Sequence, residues 1–198
     1  MSMWRTKNDA NKRMQSDPLL LAPLTAMRRW CEALCGIYTV LADKTLIEFA
    51  RLSDVAEISQ ISRDEVEYGL GWDYTSRKLA RLINNSTKNV VVARIDETLV
   101  GFGIMTYRKD QANLDLLAVK DGFRRKKVGT QIVLWLEKVA VTSGIFNIFV
   151  QLRERNTGAL RFYEGLGFQK LDEIRGFYKG VENGVVMAKL LRPMIHAT

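Results

Sequence analysis

The sequence predicts an α/β protein built on a single mixed, mostly antiparallel central sheet flanked by helices. Three observations carry that expectation. From Lys44 onward, segments of strand and helix period follow one another in the order β-α-α-β-β-β-α-β-α-β-β. Two β-branched runs, residues 89–95 and 99–107, flank the turn pair Asp96-Glu97 and mark a hairpin. Apolar residues make up 47% of the 198 residues, enough for one sizeable core and too many for a disordered chain.

The elements follow in order. Residues 45–52 alternate as a strand. Ser53 reads as the N-cap of a helix over 54–61, which carries acidic residues in its first turns. Thr75 or Ser76 caps a second helix that runs to Ile83, and the hairpin comes next. Residues 114–119 form a further strand. Residues 128–141 have helical period, with Ile132, Leu136 and Val139 on one face. Residues 145–152 read as a buried strand. A helix over 157–166 stops at Gly167, where a residue free to take positive φ is expected. Residues 169–174 and 185–191 close the set as an antiparallel pair.

Residues 44–192 thus read as one domain without repeat or linker, between an N-terminal extension, 1–43, and a short tail, 193–198. Within the extension, residues 22–41 can form an amphipathic helix with Trp30, Leu34, Ile37 and Leu41 on one face. Residues 10–17 resemble translated recombination-site sequence of an integron gene cassette. That resemblance implies a start further downstream, at Met27; a genuine N-terminal arm is the other reading.

Net charge is +8, which attracts anions: nucleic acid, acidic membranes or phosphorylated ligands. Cys31 and Cys35 are spaced by three residues rather than the two of a zinc knuckle, and the one histidine is His196. Free thiols in a reducing, cytoplasmic compartment follow, and a metal site or a histidine triad does not. The apolar run at 19–24 is short, holds Pro23 and is closed by Arg28-Arg29, so no membrane span is expected.

Two motifs carry chemistry. Residues 117–130 pass from a strand through the cations Arg124, Arg125, Lys126 and Lys127 into a helix opened by Val128, Gly129 and Thr130. A helix N-terminus offers unpaired N–H groups and the positive end of the dipole to a phosphate. Read alone, four cations in a row are more often a solvated face or a weak nucleic-acid patch. The second motif is Asn156-Thr157-Gly158-Ala159-Leu160-Arg161-Phe162-Tyr163, closed by Gly167-Phe168. Asn156 reads as an N-cap, Phe162 and Phe168 as core, and Tyr163 as core or as an acid.

Together the two segments resemble the GNAT superfamily of N-acetyltransferases, over about residues 44–192. The flavour is that of ribosomal-protein alanine acetyltransferases, through residues 114–119, the second motif and 176–187. The resemblance implies an acyl-CoA N-acyltransferase fold and acetyl-CoA as cosubstrate, with no metal. Leu117, Ala118 and Val119 would lend main-chain groups to the pantetheine arm, Arg124 to Thr130 would hold the pyrophosphate, and Asn156 would bond the arm. Tyr163 would protonate the leaving thiolate. The acceptor would be an amine or a peptide, contacted by Tyr178 in a loop before the last strand and by Trp72, with Tyr74 beside it.

Two positions depart from the family pattern. Lys127 stands at its first turn glycine, and Gln151 stands where the alanine acetyltransferases carry a glutamate base. A glutamine cannot accept a proton near neutral pH. Asp115 is the favoured substitute, with Glu65 and Glu67 behind it. A CoA-binding sensor without catalysis is the alternative. The basic run lacks the interleaved aromatics of a nucleic-acid surface. A homodimer is left open.

Overall fold

The computed structural model describes residues 45–66 and 73–191. The expectations placed on Cys31, Cys35, His196, Glu67, Trp72 and the helix at 22–41 lie outside these residues. The element order is the expected one: β1 (Thr45–Phe49), α1 (Val55–Glu65), α2 (Ser76–Ile83), β2 (Lys88–Ile95), β3 (Thr98–Tyr107), β4 (Gln111–Val119), α3 (Val128–Thr142), β5 (Asn147–Arg153), α4 (Thr157–Gly165), β6 (Gln169–Tyr178) and β7 (Glu182–Leu190).

The seven strands form one sheet in the order β1-β2-β3-β4-β5-β7-β6. Among the described strands only β4 and β5 are parallel, because α3 carries the chain back over the sheet between them. The hairpin turn places Asp96 at φ +46° and Glu97 at φ +65°, the double left-handed geometry that matches strand twist.

The sheet buries apolar side chains on both faces. Val55, Ile58 and Ile61 of α1 and Leu79 and Ile83 of α2 pack with Val90, Val92, Phe102 and Ile104. On the other face α3 lies close over β3. A Cβ on Gly103 would come within 2.7 Å of Ile132 Cγ2 and 3.1 Å of Leu136 Cδ1, so glycine sets that separation.

Two boundaries differ from expectation. Ser53 does not cap α1. A 3-10 turn over Leu52–Asp54 precedes the helix, and Asp54 Oδ2 instead accepts from the Arg51 N–H at 2.8 Å. Asp54 is drawn inward by Arg94, whose Nη2 lies 2.6 Å from Oδ1, a tertiary pull that local propensity does not contain. Thr75 does cap α2, with its Oγ1 accepting from Lys78 N–H. The second difference is β6, which continues to Tyr178 past two register shifts, so Tyr178 ends a strand rather than sitting in a loop.

Candidate active site

The site begins where the sheet opens. β4 and β5 pair from Gln111 and Asn147 as far as Leu114 and Val150, and there the ladder stops. On its other side β4 pairs Leu114 with Met105 and Leu116 with Ile104, leaving Asp115 as an extra, bulged residue. A bulge bends its strand and raises the local twist. Beyond it, residues 116–119 of β4 and 151–153 of β5 no longer pair with each other, and a cleft of about 920 Å³ lies there.

The basic turn closes one end of the cleft. Arg125 (φ +62°) and Lys127 (φ +61°, ψ +6°) both take left-handed backbone, and Lys127 is the N-cap of α3. Position 127 therefore demands the conformation a glycine adopts at no cost, and the lysine adopts it anyway. Among the described residues, the backbone N–H groups of Arg125 through Thr130 have no protein acceptor; the first α3 bond runs from Gln131 N–H to Lys127 O. Six orphan donors beside a left-handed turn make a concavity of the kind that can receive an anion.

Arg124 is placed otherwise. Its Nε donates to Val119 O at 3.2 Å, Nη1 lies 3.3 Å from Asp121, and Nη2 is bonded to Glu65. Glu65 also accepts the Asp121 N–H at 3.2 Å, so the end of α1 is clamped to the turn. Lys120 and Glu57 add a second clamp at 2.7 Å. No sequence signal could have revealed this grip, which joins residues 59 positions apart.

Gly129 has a packing role: a Cβ there would meet Phe162 Cζ at 3.4 Å. Phe162, expected in the core, is half-buried and lines the cleft. Phe168 is core, 2% exposed. Asn156 does cap α4, its Oδ1 accepting from Ala159 N–H at 3.0 Å, while its Nδ2 stays unengaged. Tyr163 is 4% exposed, held edge-on between the rings of Phe162 and Phe168. It lines the cleft, and among the described residues its hydroxyl has no hydrogen-bond partner. Burial, helped by nearby Tyr178, pushes the Tyr163 phenol well above its ordinary value.

At the far end of the cleft stand Asp115, Gln151, Arg153 and Tyr178. Asp115 Oδ2 is held by Lys88 Nζ at 3.0 Å and by the Thr106 hydroxyl. The Gln151 side chain is exposed in the cleft, and its backbone oxygen accepts from Tyr178 Oη at 3.2 Å. Burial raises the Tyr178 phenol, against the opposing charge of Arg153. Arg153 also bonds Val66 O at 3.2 Å and stands 5.8 Å from the Tyr178 ring centroid. Sequence reasoning passed over Arg153, although the two-residue strand period puts it on the face of Gln151. Tyr74 lines the cleft as well. The structure thus gathers the expected main-chain strand 117–119, the turn, Asn156, Tyr163, Asp115 and Tyr178 around one cavity.

Among the described residues no three of His, Cys, Asp and Glu cluster so as to hold a metal ion. Among them also, no helix is long and apolar enough to cross a membrane.

A seven-stranded sheet whose central parallel pair splays at a bulge is the acyl-CoA N-acyltransferase fold. The chain belongs to the acetyltransferase (GNAT) family, whose model matches residues 55–168. It is similar to the [ribosomal protein bS18]-alanine N-acetyltransferase of Salmonella typhimurium, at 29% identity over 47% of this chain and 65% of that protein. It is also similar to the spermidine N(1)-acetyltransferase of Thermoplasma acidophilum, at 30% identity over 65% of this chain and 83% of that protein. Its fold matches the crystal structure of the ribosomal-protein-S18-alanine N-acetyltransferase from Escherichia coli, with a TM-score of 0.67 at 19% identity, over 78% of this chain and 98% of that one.

Proposed function

We propose that this cleft moves an acetyl group from acetyl-CoA directly to a primary amine. The observation that carries the reading is the Tyr163 phenol: buried, held protonated, unpartnered and facing the cleft between β4 and the start of α4. The orphan N–H groups of Arg125 to Thr130 fit a pyrophosphate, and the unpaired edge of β4 over 117–119 fits an amide-bearing arm laid alongside it like an added strand. Acetyl-CoA, when bound, supplies the activated acyl carbon. The chain's own groups do the rest. In this reading the unengaged Asn156 Nδ2 donates to the arm, and the β4 main chain orients the acyl group and polarises its carbonyl.

In balance, the amine nitrogen bonds to the acyl carbon and the carbon–sulfur bond breaks. The sulfur takes the Tyr163 proton, and the proton lost by nitrogen returns through water to the phenolate. No nucleophilic side chain is required. Two relatives named for transfer to amines, one a protein alanine and one spermidine, support a primary amine as acceptor.

The exposed Gln151 motivates a second reading, a CoA-binding sensor. Thioester consumption with a panel of peptides and small amines separates them. Turnover with any member supports transfer; acetyl-CoA binding without turnover favours the sensor.

A further inference from the structure

A neutral amine attacks; an ammonium ion, whose lone pair is occupied by a proton, does not. The proton must therefore go either to a base in the cleft or to solvent before binding. Among the described residues, the carboxylates that line the cleft are committed. Asp115 of β4 is held by Lys88 and Thr106. Glu65, at the end of α1, is spent on Arg124 and the Asp121 N–H. Asp73, exposed at the rim, has an interaction of its own.

The remaining charged groups around Gln151 are no better. Arg153 of β5 is a cation, as are Arg125 and Lys127 of the turn and Lys179 at the mouth. Tyr163 and Tyr178 are both raised by burial and stay protonated. Glu182 of β7 does not line the cleft, and its Oε2 lies 4.0 Å from Arg153 Nη1. Gln151 itself, exposed at the bifurcation, can orient an amine through its side-chain oxygen but cannot take its proton.

We propose that this site captures its acceptor as the already neutral amine, and that Gln151 thereby selects amines of low pKa, α-amino groups above all, over lysine side chains and polyamines. This rests on the acyl-transfer reading above. At pH 7.4 about a quarter of an α-amino group near pKa 7.8 is neutral, against about one part in a thousand of a lysine amine near 10.4, a ratio of roughly 300. The more basic amine is intrinsically the better nucleophile, which returns part of that factor and leaves a preference of at least about tenfold.

The test measures kcat/KM against pH for the full chain with matched peptides, one offering a free α-amine and one a lysine with its α-amine blocked, plus small primary amines of graded pKa. The inflection should move with the acceptor's own pKa. It should stay with the acceptor in Asp115→Asn and Glu182→Gln. Gln151→Glu should raise the rate on the lysine peptide at neutral pH by about tenfold or more and uncouple the inflection from the acceptor. A second readout needs no turnover. Calorimetric titration of the α-amine peptide with CoA present, at pH 6.5 in buffers of differing ionisation enthalpy, should show release of about one proton.

One inflection common to every acceptor, its loss in Asp115→Asn, or binding without proton release would overturn the selection while leaving transfer intact. Absence of thioester consumption with every acceptor would overturn transfer, and the selection with it.

Discussion

The Arg124 guanidinium is bonded to the Glu65 carboxylate, across the gap between the basic turn and the end of α1. Glu65 accepts from the Asp121 N–H as well, so one carboxylate fixes both the side chain and the backbone of the turn. A cation so engaged contributes little to a ligand phosphate. Arg124→Ala should change the affinity for CoA by less than about threefold. The double change Arg125→Ala with Lys126→Ala should weaken it by about tenfold, and more at low salt, since those exposed cations are screened by ions. Calorimetry at two ionic strengths measures both.

Lys127 occupies a left-handed backbone that glycine takes freely. Lys127→Gly should stabilise the fold by about 0.5–1 kcal/mol, the strain relieved less the added freedom of the unfolded chain. Urea denaturation reads the gain. CoA affinity should fall no more than a few-fold, because the backbone donors remain.

Tyr163→Phe should lower kcat about a hundredfold while CoA affinity holds within about twofold. A pH signature accompanies it. The buried phenol is raised, so the native state holds its proton to higher pH than the unfolded chain does. The resulting stability is present in full below the unfolded value near 10 and is lost as pH climbs through the folded one. Wild type should therefore lose up to about 1.4 kcal/mol per pH unit above pH 10 that the phenylalanine variant keeps. Denaturation between pH 9 and 11 checks the slope.

Asn156 has two duties on two atoms: Oδ1 caps α4, and Nδ2 is open to the cleft. Asn156→Ala should cost about 1 kcal/mol of stability and also weaken CoA binding. Asn156→Asp keeps the cap but loses the donor, so stability should stay near wild type while affinity falls about fivefold or more. Thermal melts paired with calorimetry separate the duties.

The parts legible in the sequence are those whose cause is local. The Asp96-Glu97 turn, the Thr75 cap and the Asn156 cap each depend on residues within four positions, and each was found where expected. The second motif spaces Asn156 and Tyr163 along one short helix, so sequence distance already implied a shared cavity. The capture of Arg124 by Glu65, of Asp54 by Arg94 and of Asp115 by Lys88 was illegible. Each joins charges that only the folded sheet brings together, and a solvated side chain and a committed one look alike in one dimension. Phe162 was misjudged for a related reason: hydrophobicity marks it for burial, and the splay beside it decides that it lines a cleft instead.

That splay has a consequence for motion. In most sheets the central strands guard their amide protons longest and the borders lose them first. Here β4 and β5 stand in the middle of the order, yet their facing amides beyond Leu114 and Val150 have no neighbour to hold them. Deuterium should enter this sheet from its centre outward. A bound CoA arm, acting as the missing rung, should slow that exchange most at Leu117 and Val119, whose amides point away from β3.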